Sequence, residues 1–104
     1  MVVALFGTVL RADVDLAEYR ARNERMEELV RRMPGFISVK AYTADDGDRV
    51  VIARFESEEA LDAWRSLPEH VEAQRLGREA YYESYWVQVY TSIRQYAYQR
   101  PTGD

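Results

Sequence analysis

The stretch between Phe36 and Glu56 constrains the fold more than any other part of the chain. Two runs rich in β-branched and apolar residues, Phe36 to Thr43 and Arg49 to Glu56, flank the segment "TADDGD". Its Asp46-Gly47 pair suits the positive backbone angles of a tight turn. Runs of this kind joined so closely predict an antiparallel hairpin, and everything on either side must pack on it or extend it.

Upstream, "DLAEYRARNERMEELVRRM" puts Leu16, Tyr19, Met26, Leu29, Val30 and Met33 on one helical stripe. Asp15 and Glu18 have capping-box spacing, and Pro34-Gly35 stops the helix. Before it, Val2 to Leu10 reads as a strand buried on much of both faces. Downstream, Ser57 can cap a helix from Glu58 to about Leu67, with Glu58 and Glu59 favourably placed at the positive end of its dipole. Pro68 permits a restart, and a helix is expected to run from there to roughly Glu83 despite Gly77. A last strand is expected over Tyr85 to Gln99, with Val87, Val89 and Ile93 on one side and Tyr90, Tyr96 and Tyr98 on the other. The order β-α-β-β-α-β predicts an α+β, ferredoxin-like antiparallel sheet with helices on one face. A single domain over residues 1–100 is expected, with "RPTGD" fraying and residues 101–104 as a tail.

The hairpin strands are apolar in both phases: Ile37, Val39, Val51, Ala53 and Phe55 on one, Val50 and Ile52 on the other. Helices can cover only one of these faces, so a face-to-face homodimer is expected to cover the second.

Composition removes several chemistries. With 104 residues, a formal net charge of -4 and a pI near 5.0, the chain is unsuited to nucleic acid or an anionic membrane as main partner. It has no cysteine, hence no disulfide and no thiolate nucleophile or ligand. One histidine cannot build a nitrogen-rich metal site, and isolated glycines offer no phosphate cradle for a nucleotide or flavin. Lys40, the lone lysine, reads as a strand surface residue. No cofactor and no metal are expected. The apolar N-terminal run lacks a basic n-region and is too short to span a bilayer, so a cytoplasmic location is expected.

What remains is "PEHVEAQRLGREAYY", residues 68 to 82. At helical spacing His70, Gln74, Arg78, Tyr81 and Tyr82 share a broad face with Leu67 and Val71. A pocket wall needs apolar area with a few polar handles. His70 is the one side chain suited to proton transfer at neutral pH. Arg78 or Tyr81 would steady an oxyanion or enolate, while Gln74, Tyr82 and Tyr85 would contact substrate. Trp64, in phase with Ala60 and Leu61, and Asn23, at the edge of the first helix's stripe, complete the set. The competing reading makes the same face half core and half dimer margin.

The chain resembles the antibiotic biosynthesis monooxygenase family through "MPGFISVKAYTADDGDRVVIARFESEEALDAWRSLPEHVEAQ". The MPGF turn, the strand ending in FESEEA, the tryptophan Trp64 and the PEHVEAQ run carry the resemblance. It implies a dimeric α+β barrel in which the last strand reaches across the seam, and a pocket between each sheet and its own helices. Some members oxygenate anthrone-type aromatics to quinones without flavin, haem or metal, while others degrade haem or isomerise small molecules. Trp64 matches the family tryptophan and would line the pocket. The asparagine that cofactor-free oxygenases carry one turn earlier is Ala60 here. The haem-ligating histidine of haem-degrading members falls at Gln74, and the first strand has no asparagine, so haem degradation is disfavoured. The implied activity is cofactor-independent oxygenation of a small aromatic or polyketide-type compound. Ligand binding without catalysis, or isomerisation, stands as the alternative.

Overall fold

A computed structural model of the chain describes residues 1–103. It comprises β1 (Val2–Leu10), α1 (Leu16–Val30), β2 (Phe36–Thr43), β3 (Arg49–Phe55), α2 (Glu58–Arg65), α3 (Pro68–Leu76), a π-helical turn (Gly77–Tyr81) and β4 (Tyr82–Thr91). The strands form one antiparallel sheet in the order β2-β3-β1-β4, the expected ferredoxin-like arrangement.

The helix starts follow from their caps. The Asp15 carboxylate accepts from the Glu18 amide at 3.1 Å, and the Ser57 hydroxyl accepts from the Ala60 amide at 3.2 Å, each satisfying an otherwise unpaired N–H. Gly35 and Gly47 adopt φ of 81° and 95°, the left-handed conformation that makes glycine the natural residue at the MPGF turn and the hairpin.

Register fixes the two faces of the sheet. Val2 pairs with Phe55 and Ala4 with Ala53, and these residues pack with Val30, Leu61 and Trp64 to form the core under the helices. Phe6, Thr8, Val51 and Arg49 continue that face, because alternate residues of a strand share a side. The opposite face carries Val3, Leu5, Gly7, Val50 and Ile52, joined by Tyr42, Trp86 and Tyr90 from the edge strands. Both faces are apolar, and no helix covers the second.

Two expectations are corrected. The helix from Pro68 ends at Leu76 and passes into the π-turn, so nothing helical reaches Glu83. The last strand begins at Tyr82 and stops at Thr91 rather than running from Tyr85 to Gln99. The physical reason is pairing: Val2 meets Thr91, β1 has no residues left to pair beyond that point, and alternation alone cannot make a strand without a partner.

Candidate functional site

β4 is an edge strand, and its helix-side residues are poorly covered. Val87 pairs with Phe6 and Val89 with Ala4, which puts both on the helix-bearing face, yet they remain 56% and 46% exposed. α3 packs on α1 and α2, while the π-turn is what meets β4. An exposed apolar strip therefore runs along β4. Its ends differ chemically.

Over the Val2–Phe55 end, Trp64 is buried in the core, and His70 stacks on it with ring centroids 4.2 Å apart and planes 20° from parallel. The His70 Nδ1 lies 3.2 Å from the Trp64 carbonyl oxygen. A carbonyl can only accept, so Nδ1 carries the proton in the neutral ring and Nε2 keeps its lone pair. Burial pushes the imidazole's pKa down, outweighing the carbonyl contacts that raise it.

Over the Thr8 end lies an aromatic cluster of Phe6, Tyr19, Tyr81, Tyr82 and Tyr85. Phe6 meets Tyr82 at 5.6 Å and Tyr85 at 5.7 Å, and Tyr19 meets Tyr81 at 5.6 Å, edge-on or tilted as aromatic quadrupoles prefer. Tyr81 is buried and donates to the Glu18 carboxylate at 3.0 Å. Burial, then that carboxylate, raises its pKa. Tyr82 keeps its proton far above the usual phenol range, chiefly through burial. Arg49 donates to the Tyr19 hydroxyl at 2.8 Å and lies 6.0 Å from the ring centroid. The six steps along β1 from Val2 to Thr8, at about 3.4 Å each, separate the two ends by roughly 20 Å.

The expected residues thus divide. Trp64 and His70 meet at one end, and Tyr81, Tyr82 and Tyr85 gather at the other. Gln74 and Arg78 are exposed, and Asn23 is half-buried on α1. The Arg78 carbonyl accepts from Arg11. The shared face expected for residues 70 to 82 does not persist as one helical stripe, because the π-turn inserts a residue and changes the phase.

Residues that sequence reasoning missed come from the strands. Arg49, Thr8 and Phe6 reach the tyrosines through sheet register, and no local spacing signals this. Trp86 was also missed: its indole lies over Gly7, so closely that a Cβ there would fall 2.1 Å from Cε2. With Thr8, Val9, Asp48, Arg49, Val50 and Ser84 it lines a small cavity of about 100 Å³. Among the described residues no group of carboxylates and imidazole is placed to hold a metal ion, and no helix is long and apolar enough to cross a membrane.

The sequence model of the family described as antibiotic biosynthesis monooxygenase matches residues 12–76. The uncharacterised protein YqjZ of Bacillus subtilis (strain 168) is 36% identical over 86 residues, covering 83% of this chain and 75% of that protein. The structure of Rv0793 from Mycobacterium tuberculosis superposes with a TM-score of 0.81 at 25% identity, over 92% of this chain and 98% of that one. SnoaB, a cofactor-independent oxygenase from Streptomyces nogalater, shares the fold with a TM-score of 0.74 at 17% identity, over 90% and 94% of the two chains.

Proposed function

Since this chain belongs to the antibiotic biosynthesis monooxygenase family, we propose that it is a cofactor-independent monooxygenase acting on a small aromatic or polyketide-type compound, working as a cytoplasmic homodimer. The observation that carries the reading is the state of His70. Its ring is stacked on Trp64, its Nδ1 proton is committed to a backbone carbonyl, and burial favours the neutral form. A neutral imidazole with one nitrogen committed is a base at the other.

In this reaction Nε2 takes a proton from an acidic ring CH₂ that lies across the ring from a carbonyl and is conjugated with it. The resulting enolate is electron-rich and passes an electron to dioxygen. The two radicals combine in a C–O bond, and loss of water breaks the O–O bond. Overall, a ring CH₂ and O₂ give a ring carbonyl and H₂O. Trp64 and the apolar strip of β4 supply the surfaces that a flat substrate needs.

One observation favours a second reading, ligand binding or isomerisation without oxygenation. Ala60 packs against Gly35, whose Cβ would lie 2.7 Å from its own, and it belongs to the core margin. No amide stands there. Oxygen uptake by the metal-stripped protein with an anthrone, followed with quinone absorbance, separates the two. The oxygenase reading expects uptake above the spontaneous rate and a loss of about 10²–10⁴-fold in His70→Ala. Uptake equal to the spontaneous rate moves the assignment to the second reading, and equal rates in both proteins remove His70 as base.

A further inference from the structure

The end of the apolar strip nearest Thr8 holds a buried hydroxyl without a partner, beside an arginine with donors to spare. Thr8 is 4% exposed, and its hydroxyl oxygen is buried with no partner. Leaving such a group unpaired is unfavourable, so it calls for an explanation. Register names its neighbours: Arg49 is directly opposite on β3 and Tyr85 directly opposite on β4. Side chains so paired start about 5 Å apart. Arg49 commits one N–H to Tyr19 and keeps the rest of its fork. Tyr82 packs against Phe6, Tyr19 and Tyr85, and its neutral phenol, which shares the Tyr19 hydroxyl with Arg49, can turn its proton to an arriving anion.

The charged surroundings suit an anion. From α1, Glu18 is already engaged by the Tyr81 hydroxyl, with Arg22 beside it. Asp48, in the turn before β3, is exposed. Arg49 is the charge that faces the tyrosines from the sheet. The half-exposed Tyr85 stands at the rim, next to the open floor at Val87.

We propose that Thr8, Arg49 and Tyr82 form an oxyanion subsite for the ionised ring oxygen of a planar aromatic ligand, a phenolate or enolate, walled by Phe6 and Tyr85. The proposal rests on the reading of this face as a ligand site, and it transfers the anion-holding role from the exposed Arg78 to Arg49. Donors on strands need little reorganisation when a negative charge arrives.

2-Naphthol is the probe, because its absorbance reports its own ionisation. Bound to the wild-type protein, it ionises about one pH unit or more below the free compound. Arg49→Gln abolishes that shift. Thr8→Val weakens binding of the ionised form about tenfold while raising the unfolding midpoint, since an isosteric methyl replaces an unpaired hydroxyl. A raised midpoint with unchanged affinity and unchanged shift assigns Thr8 to packing and overturns the subsite. Naphthol that fails to bind, or binds with its ionisation unshifted or raised, overturns it equally. His70→Ala retains the naphthol shift, and a wild-type protein that shows the shift without oxygen uptake above the spontaneous rate counts against the catalytic reading alone.

Discussion

His70 ties the stability of the fold to pH. Burial lowers its pKa in the folded chain, whereas the unfolded chain takes up the proton near the ordinary value of about 6.5. Below that pH the unfolded state binds more protons, so stability falls as pH drops, until the lowered folded value is passed. Urea midpoints measured from pH 8 to 5 are expected to fall in that window. In His70→Phe, which keeps a stacked ring without the titration, this component disappears; an identical pH profile in the two proteins would show that the imidazole titrates as in the unfolded chain. Gly7 is a second position where one atom decides the local structure. A Cβ there would collide with the Trp86 indole, and the ring, half-exposed, has to leave the strand. Gly7→Ala is expected to cost about 1–3 kcal/mol and to shift tryptophan emission to the red, while unchanged emission would mean the backbone yields instead.

At the scale of elements, the π-turn depends on a distant arginine. The Arg11 guanidinium donates to the carbonyls of Glu79 at 2.8 Å, Arg78 at 2.9 Å and Tyr82 at 3.3 Å, and its amide donates to the Tyr81 carbonyl at 2.9 Å. The carbonyls of Arg78, Glu79 and Tyr81 stand at the end of the helical segment and would otherwise lack partners. Arg11→Met is expected to lose about 1–2 kcal/mol, since two of the three side-chain bonds are exposed, and to speed amide exchange selectively across residues 77–82. Uniform acceleration over the whole chain would make the clamp a matter of global stability only. This dependence also explains what was legible beforehand. β1, α1, the hairpin and α2 could be read because their signals are local: two-residue alternation, a helical stripe, Asp15, Ser57, Gly35 and Gly47. The π-turn could not, because Gly77 reads as an ordinary helix interruption and Arg11 lies far off in sequence. β4 was misplaced because Tyr96 and Tyr98 continue its alternation after β1 has ended. Within the site, Trp64 and His70 were legible from neighbouring helical positions. Thr8 and Arg49 were not, since only strand register brings them to the tyrosines.

For the whole molecule, the unresolved matter is how so much apolar surface is kept from water. One sheet face presents Val3, Leu5, Val50, Ile52, Tyr42, Trp86 and Tyr90 with no helix over it. Between β4 and Gly103 the described residues carry no secondary structure, and Ile93, Tyr96 and Tyr98 are 100%, 90% and 82% exposed. Exposed apolar area of this extent marks an interaction surface. A second copy with the same face is the economical cover, because a two-fold operation pairs the patch with itself. Sedimentation equilibrium at micromolar concentration is expected to give twice the 12.2 kDa chain mass. Replacing Ile52 with Asp puts a charge in the middle of that face, where it must be desolvated on pairing, and is expected to give monomers that keep the helix content of the wild type. Removing residues 93–104 tests the tail separately: if its aromatic residues lie on the partner, the dimer dissociates at least tenfold more readily, about 1.4 kcal/mol. A tail-less dimer of unchanged affinity would leave the sheet face as the whole interface, and a wild-type monomer would reject the pairing altogether.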